Sequence, residues 1–175
     1  MDYVDILKSY RKKPVAAPNL FTVPLAYDQT GIEKIIPHRE PFLFLDQLRG
    51  LNLEQGLLLA SRRINENDPV FKGHFPGSPI YPGTLLLEMI GQAGLCLYYF
   101  LNHHTQHIAE NARPVKVRAT KILGANFLEP VLPGQEVFLV VKKLTHETYI
   151  GSVLGQVVFG PSICTVAICE VCFLE

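Results

Sequence analysis

The sequence predicts an α+β fold in which one long apolar helix stands among several antiparallel strands. The helix is expected from about Pro82 to the His103-His104 region, because proline suits a first helical turn and the residues that follow are almost all apolar. After residue 112 the hydrophobic period changes, and residues 115–120 alternate between apolar and polar side chains, as in a half-buried strand. One buried helix combined with a run of strands is typical of the α+β class.

Turn residues separate the expected strands, since the Pro-Gly pair at 133–134 and the Gly-Pro pair at 160–161 both favour a reversal of the chain. A short helix is expected over residues 31–36, with Thr30 as its N-cap and Pro37 as its end. The expected strands cover residues 42–45, 56–64, 115–120, 137–144, 148–159 and 162–174.

Length and composition indicate one globular domain without an obvious charged partner. The chain has 175 residues, of which 48% are apolar and 18% charged, enough for a single hydrophobic core. The formal net charge is zero, so neither nucleic acid nor an anionic membrane is expected as the main partner.

The first 30 residues are expected to form an N-terminal extension to a domain at residues 31–175. They contain a short amphipathic piece, the basic residues at 11–13 and three prolines, which together discourage a long helix. No basic region followed by a long apolar region is found at the start, so no signal peptide is expected. Four cysteines in apolar runs fit free thiols in a reducing cytoplasm.

The apolar stretch at residues 83–101 is long enough to suggest a membrane span. Glu88 lies within it, and a carboxylate at that depth would cost about 2.5 kcal/mol or more. We therefore expect a buried core helix. Cys169 and Cys172 have CxxC spacing but lack a second ligand pair nearby, so no metal site is expected there.

A polar row runs along this otherwise apolar helix. Thr84, Glu88 and Gln92 are spaced four apart and therefore share one face. Buried polar groups need partners, so the row forms either an internal hydrogen-bond network or the lining of a pocket. Glu88 favours the pocket, because a carboxylate is seldom buried without a partner.

His74 lies in a loop rich in proline and glycine just before the helix. A loop histidine is often only solvated, but prolines fix the backbone and such a loop can hold an imidazole rigidly. Imidazole and a buried carboxyl group are well suited to proton transfer at neutral pH. His74 and Glu88 are therefore the candidate catalytic pair.

Other polar residues receive structural interpretations. His38 is expected to anchor a loop through Asp46, although a second catalytic base is the alternative. His103 and His107 are expected to satisfy the last helical carbonyls rather than to bind a metal. The pairs at 62–63 and 142–143 are expected to be solvated surface, with contact to an acidic partner as the alternative.

The segment from His74 to Gln92 reads His-Phe-Pro-Gly-x-Pro-x-x-Pro-Gly-x-Leu-x-x-Glu-x-x-x-Gln. This pattern resembles the 3-hydroxyacyl-[acyl-carrier-protein] dehydratases of bacterial fatty-acid synthesis. Two further stretches agree with that family, Ile-Pro-His-Arg-Glu-Pro-Phe-Leu-Phe-Leu-Asp at 36–46 and Asn-Phe-Leu-Glu-Pro-Val-Leu-Pro-Gly-Gln at 126–135. The likeness covers roughly residues 31–174.

The resemblance implies a hot-dog fold, in which a curved antiparallel sheet wraps a long central helix. It also implies a homodimer with two shared active sites, and leaves a trimer of dimers open. In this family pattern His74 comes from one subunit and Glu88 from the other, and glutamate marks the branch that dehydrates without isomerising. The chain departs from the family at Leu128 and Glu129, where a basic residue is common.

The implied reaction is the loss of water from a (3R)-hydroxyacyl thioester delivered by acyl carrier protein. His74 would take the proton beside the thioester carbonyl, and the backbone N–H of Gly83 would bind the developing oxyanion. Glu88 would help the 3-hydroxyl leave, with its pKa raised by apolar surroundings, and Gln92 would orient Glu88. No metal or other cofactor is expected.

An acyl chain needs an apolar tunnel, and its candidate wall residues are Phe42, Leu85, Leu87, Met89 and Ile90. Two alternatives to the dehydratase stay open. One is a hot-dog thioesterase in which Glu88 activates water, and the other is a non-catalytic acyl-binding or scaffold protein that has kept the fold.

Overall fold

The computed structural model describes residues 2–174 and has a seven-stranded antiparallel sheet as its main feature. The spatial order of the strands is β1-β2-β3-β5-β6-β7-β4, so β1 and β4 form the two edges. The strands are β1 (Val23–Tyr27), β2 (Gln47–Asn52), β3 (Leu57–Arg63), β4 (Val117–Phe127), β5 (Glu136–His146), β6 (Ile150–Phe159) and β7 (Ser162–Phe173).

Three α-helices accompany the sheet: α1 (Tyr3–Tyr10), α2 (Gln29–Ile32) and α3 (Gly83–Asn102). The long helix α3 follows Pro82 and ends at His103, whose ring Nδ1 lies 2.9 Å from the Tyr99 carbonyl oxygen. Both the predicted helix and the predicted role of His103 are confirmed.

Helix α3 is the core helix, as its composition predicted. Among residues 2–174 it is the one helix long and apolar enough to cross a membrane, and 78% of its most apolar window is buried inside the protein. It packs against β3, β5, β6 and β7. Glycines of β6 allow this close approach: a side chain at Gly155 would collide with Ile90, and one at Gly151 would meet the Tyr98 ring.

The sheet is also covered on a second side by the start of the chain. Helix α1 packs against β4 and β7, and its Leu7 joins a second apolar cluster with Val15, Ala16 and residues of the sheet. Strand β1 pairs with β2. The sequence did not predict β1, because Pro24 lies within it; proline is tolerated here since β1 is an edge strand.

Two local predictions were wrong. Residues 42–45 form no strand, because the N–H of Phe44 donates to the side chain of Gln92 at 2.8 Å instead of to a neighbouring strand. The short helix α2 begins earlier than expected, and its N-cap is Asp28, whose carboxylate accepts from the N–H of Gly31, rather than Thr30.

Arg62 is not solvated surface, contrary to our prediction. Its side chain is only 13% exposed, and its Nη1 lies 2.8 Å from a carboxylate oxygen of Asp46. The other oxygen of Asp46 accepts from the N–H of Arg63 at 2.7 Å. Asp46 is therefore engaged by β3 rather than by His38. The four cysteines carry free thiols, as expected.

Candidate active site

His74 is held by a tightly closed loop. A turn of 3₁₀ helix at Pro69–Lys72 precedes it, and the N–H of His74 donates to the Val70 carbonyl at 2.9 Å. The N–H of Ile80 donates back to the carbonyl of His74 at 3.1 Å. The His74–Phe75 peptide bond is cis, and the two rings stack with their centroids 4.0 Å apart.

One hydrogen bond fixes the proton on the His74 ring. Nδ1 lies 2.8 Å from the carbonyl oxygen of Ile80. A carbonyl oxygen can only accept, so Nδ1 must carry the hydrogen. In the neutral ring this leaves Nε2 with a free lone pair, which is the state that a general base requires.

Next to His74 a cleft of about 420 Å³ opens at the N-terminus of α3. Gly83 and Thr84 of the first helical turn line it, and no side chain caps this helix end, so N–H groups of the first turn remain available. A Cβ at Gly83 would lie 2.7 Å from the ring of Phe127, so a larger residue here would require that ring to move. The other lining residues are mainly apolar: Ile80, Tyr81, Pro82, Leu86, Leu128, Glu129, Pro130, Val131 and Thr165.

Glu88 lies in a separate group of polar side chains. Its Oε1 accepts a hydrogen bond from Gln92 at 2.9 Å and lies 3.3 Å from Nε2 of His38. Gln92 is almost completely buried and is itself fixed by the backbone of Phe42 and Phe44, at 2.9 Å and 2.8 Å. The predicted contact between Gln92 and Glu88 is therefore present.

The charge state of Glu88 differs from our prediction. We expected apolar surroundings to raise its pKa. The hydrogen bond from His38 instead lowers the pKa of Glu88, this effect outweighs the opposing effect of burial, and the bond from Gln92 lowers the pKa further. Glu88 is therefore a carboxylate at neutral pH in its resting state.

The structure brings together some of the predicted residues and separates others. His74 and Gly83 share the cleft, whereas Glu88 and Gln92 form the second group with His38. Within residues 2–174 of one chain, no hydrogen bond or ion pair joins His74 to Glu88. The five predicted wall residues do not line the cleft either, and Met89 and Ile90 are core residues.

Sequence reasoning gave one polar group near these sites the wrong partner and missed another. His38 contacts Glu88 rather than Asp46, and its Nδ1 is buried without a hydrogen-bond partner in the described chain. The Thr165 hydroxyl on β7 is likewise buried and unpaired, in a residue that lines the cleft. No signal in the sequence links Thr165 to His74. Residues 2–174 contain no cluster of three or more histidine, cysteine or acidic residues that could hold a metal ion.

Comparison with known proteins identifies the family. The model of the FabA-like domain matches residues 36–166, which is most of the chain. The chain therefore belongs to the FabA-like family.

Several relatives in sequence carry one specific name. The 3-hydroxyacyl-[acyl-carrier-protein] dehydratase FabZ of a Nitratiruptor species is 37% identical over 120 residues, which cover 68% of this chain and 78% of the relative. FabZ of Campylobacter concisus is 35% identical over 140 residues, which cover 80% of this chain and 93% of the relative. The resemblance found in the motif is thereby confirmed.

Solved structures confirm the hot-dog fold. The dehydratase heterocomplex ApeI:P of Xenorhabdus doucetiae aligns with a TM-score of 0.63 at 14% identity, over 87% of this chain and 92% of that chain. A thioesterase of Haemophilus influenzae aligns with a TM-score of 0.52 at 13% identity, over 74% and 78%. At such low identity these two likenesses concern the fold alone.

Proposed function

We propose that this protein dehydrates (3R)-hydroxyacyl thioesters on acyl carrier protein to trans-2-enoyl thioesters in fatty-acid or related lipid synthesis. The observation that carries the proposal is the state of His74. Its Nδ1–H is committed to the Ile80 carbonyl, and the ring lies in an apolar cleft at the start of α3. The FabZ relatives, which carry the dehydratase name, support the same reaction.

His74 and Gly83 act on the thioester end of the substrate. Nε2 of His74 takes the proton from the carbon next to the carbonyl, and the electrons of that C–H bond form the new carbon–carbon double bond. Negative charge builds on the thioester oxygen, where the N–H of Gly83 and the positive end of α3 stabilise it. The thioester itself acidifies the abstracted proton.

Glu88 acts on the 3-hydroxyl group. As a carboxylate it accepts a hydrogen bond from the 3-hydroxyl, and it takes up one proton from solvent before the C–O bond breaks. Glu88 gives that proton to the departing hydroxyl, which leaves as water with the electrons of the C–O bond, and Glu88 is a carboxylate again. His74 then releases the proton taken from the carbon to solvent, so the cycle consumes no net proton. Gln92 orients Glu88 throughout.

The complete pair requires two copies of the chain, because His74 and Glu88 lie in different groups within one copy. We therefore propose a homodimer in which His74 of one protomer faces Glu88 of the other. Larger assembly as a trimer of dimers, and location in the cytoplasm, belong to the same proposal.

The variants His74→Ala and Glu88→Gln test the assignment. Each should lower kcat by about 100-fold or more, the usual contribution of a general acid or base, while the far-ultraviolet circular dichroism spectrum stays that of the folded wild type. His107→Ala, an exposed histidine outside both groups, is the matched control and should keep full turnover. Near-normal turnover in either of the first two variants removes that residue from the mechanism.

A thioesterase is the second candidate, because an ionised Glu88 could activate water. The products separate the two reactions. A dehydratase yields a conjugated enoyl thioester, which is followed by its ultraviolet absorbance, whereas a thioesterase releases a free thiol, which a thiol reagent detects. Release of thiol without enoyl product would favour the thioesterase.

A further inference from the structure

The first residues of the chain run beside the mouth of the His74 cleft. Arg11, Lys12 and Lys13, here called the basic segment, are consecutive and exposed. Arg11 and Lys12 line a surface groove of about 380 Å³ together with Leu128, Glu129 and residues 161–163. Leu128 and Glu129 also line the cleft, so the groove and the cleft share a wall.

A buried side chain fixes the path of the basic segment. Gln156 of β6 is fully buried, and its amide donates to the carbonyls of Tyr10 and Lys13 at 2.6 Å and 2.9 Å. Its oxygen accepts from the N–H of Val15 at 2.8 Å. These three hydrogen bonds hold the backbone of the basic segment in a defined position on the surface.

The positive charges of the basic segment are not neutralised by ion pairs within residues 2–174. No carboxylate among residues 2–174 forms an ion pair with any of the three. Lys13 lies over the Tyr10 ring, 4.8 Å from its centre. Unpaired cations beside an active-site mouth attract an anionic partner and speed its arrival.

We propose that the basic segment is the docking surface for the protein that carries the acyl substrate, and that this carrier presents carboxylates around its acyl attachment point. The inference rests on the proposed function. A tethered acyl chain enters the cleft while its carrier stays outside, against the groove. Two of the three cations line an open surface groove and the third lies over the Tyr10 ring, an arrangement that suits a protein surface better than a single phosphate group. Leu128 and Glu129, which line both the groove and the cleft, carry no positive charge. The basic segment therefore supplies the positive charge of this surface.

Charge reversal in the segment tests this inference. The variant R11E/K12E is assayed with one 3-hydroxyacyl group on three carriers: acyl carrier protein, coenzyme A and N-acetylcysteamine. We expect the KM for the carrier-protein substrate to rise about tenfold, with kcat and the KM for the two small thioesters within about twofold of wild type. Binding of the carrier protein, measured separately by calorimetry, should weaken by a similar factor.

The variant K34E/R113E is the matched control, because it changes the net charge equally at exposed residues outside the groove and the cleft. It should leave the KM for all three substrates near the wild-type value. The inference is overturned if R11E/K12E binds the carrier protein normally, if coenzyme A is affected equally, or if the control behaves in the same way. Absence of enoyl product from all three substrates with the wild type would instead refute the proposed function, and the calorimetry would still decide the docking.

Discussion

At the scale of single residues, two histidines are prepared for different tasks by the partners of their rings. His74 gives its Nδ1–H to the carbonyl of Ile80, which leaves Nε2 as a base. His38 places its Nε2 against the carboxylate of Glu88, which holds that carboxylate in its charged form. Exchanging these partners would exchange the chemistry of the two rings, because the tautomer follows the hydrogen bond.

The contact between His38 and Glu88 makes stability depend on pH in a defined direction. The pKa of Glu88 in the folded protein lies below its ordinary 4.5. The contact therefore stabilises the fold fully above pH 4.5, and this contribution is lost as the pH falls through the folded pKa. His38→Leu should raise the pKa of Glu88 and should lower the free energy of unfolding above pH 4.5, but progressively less at lower pH.

Urea unfolding of wild type and His38→Leu between pH 3 and pH 7 measures this difference. The same pair is compared in the Glu88→Gln background, where the carboxylate is absent and the pH dependence of the difference should vanish. If the difference in free energy of unfolding between wild type and His38→Leu does not change with pH while Glu88 is present, this explanation is wrong.

The sequence predicted His74, Glu88, Gly83 and Gln92 as candidates, and their catalytic roles stay predictions; the structure shows the expected contact between Gln92 and Glu88 and places His74 and Gly83 in one cleft. It could not predict that His38 reaches Glu88. These residues lie 50 positions apart, no periodicity links them, and Asp46 was an equally plausible partner until β3 was seen to bind it through Arg62. The predicted shift of the Glu88 pKa was wrong in direction because the hydrogen bond from His38, which lowers that pKa, could not be foreseen.

At the scale of elements, the approach of α3 to β6 depends on small residues of the strand. Gly155 leaves no room for a side chain, since a Cβ there would collide with Ile90 of the helix. Both residues are fully buried. The helix carries Gly83 at one end and Glu88 in its second turn, so this packing also determines where the site residues lie.

The variant Gly155→Ala should therefore destabilise the fold by about 1–3 kcal/mol, the usual cost of overpacking. Ile90→Ala alone should cost roughly 2–5 kcal/mol through the cavity it leaves. The double variant should be less destabilised than the sum of the two, because the new methyl group occupies part of that cavity. Urea titrations at one protein concentration measure all three values, and strict additivity would show that the two residues do not compete for space.

Helix α3 and strands β3, β5, β6 and β7 were predictable because their hydrophobic patterns are long and uninterrupted. Strand β4 was predicted only in part, over residues 115–120, whereas it spans Val117–Phe127. Residues 42–45 were wrongly predicted as a strand. They form an apolar run with β propensity, but the N–H of Phe44 donates to the side chain of Gln92 on α3 instead of to a neighbouring strand. Strand β1 was hidden by Pro24, and only the position of β1 at the sheet edge makes that proline acceptable. Both errors arise from partners that are distant in the sequence.

At the scale of the whole molecule, the separation of the two polar groups predicts complementation between inactive variants. Mixing His74→Ala with Glu88→Gln after unfolding and refolding together should produce heterodimers. In each heterodimer one site has both lost residues and the other site is intact. Turnover should recover to roughly a quarter of the wild-type value if protomers pair at random.

The recovery is measured as enoyl thioester formed per unit of protein, with each variant refolded alone as the control. Recovery requires that His74 and Glu88 of one site come from different protomers. If the mixture is no more active than the separate variants, the shared-site arrangement is wrong and a single chain must supply both groups.

The three hydrogen bonds of the Gln156 amide with this segment all go to main-chain atoms. These bonds do not require particular side chains at positions 11 to 13. Evolution, or a protein engineer, can therefore change the charges of the basic segment to suit another carrier protein without moving the catalytic residues.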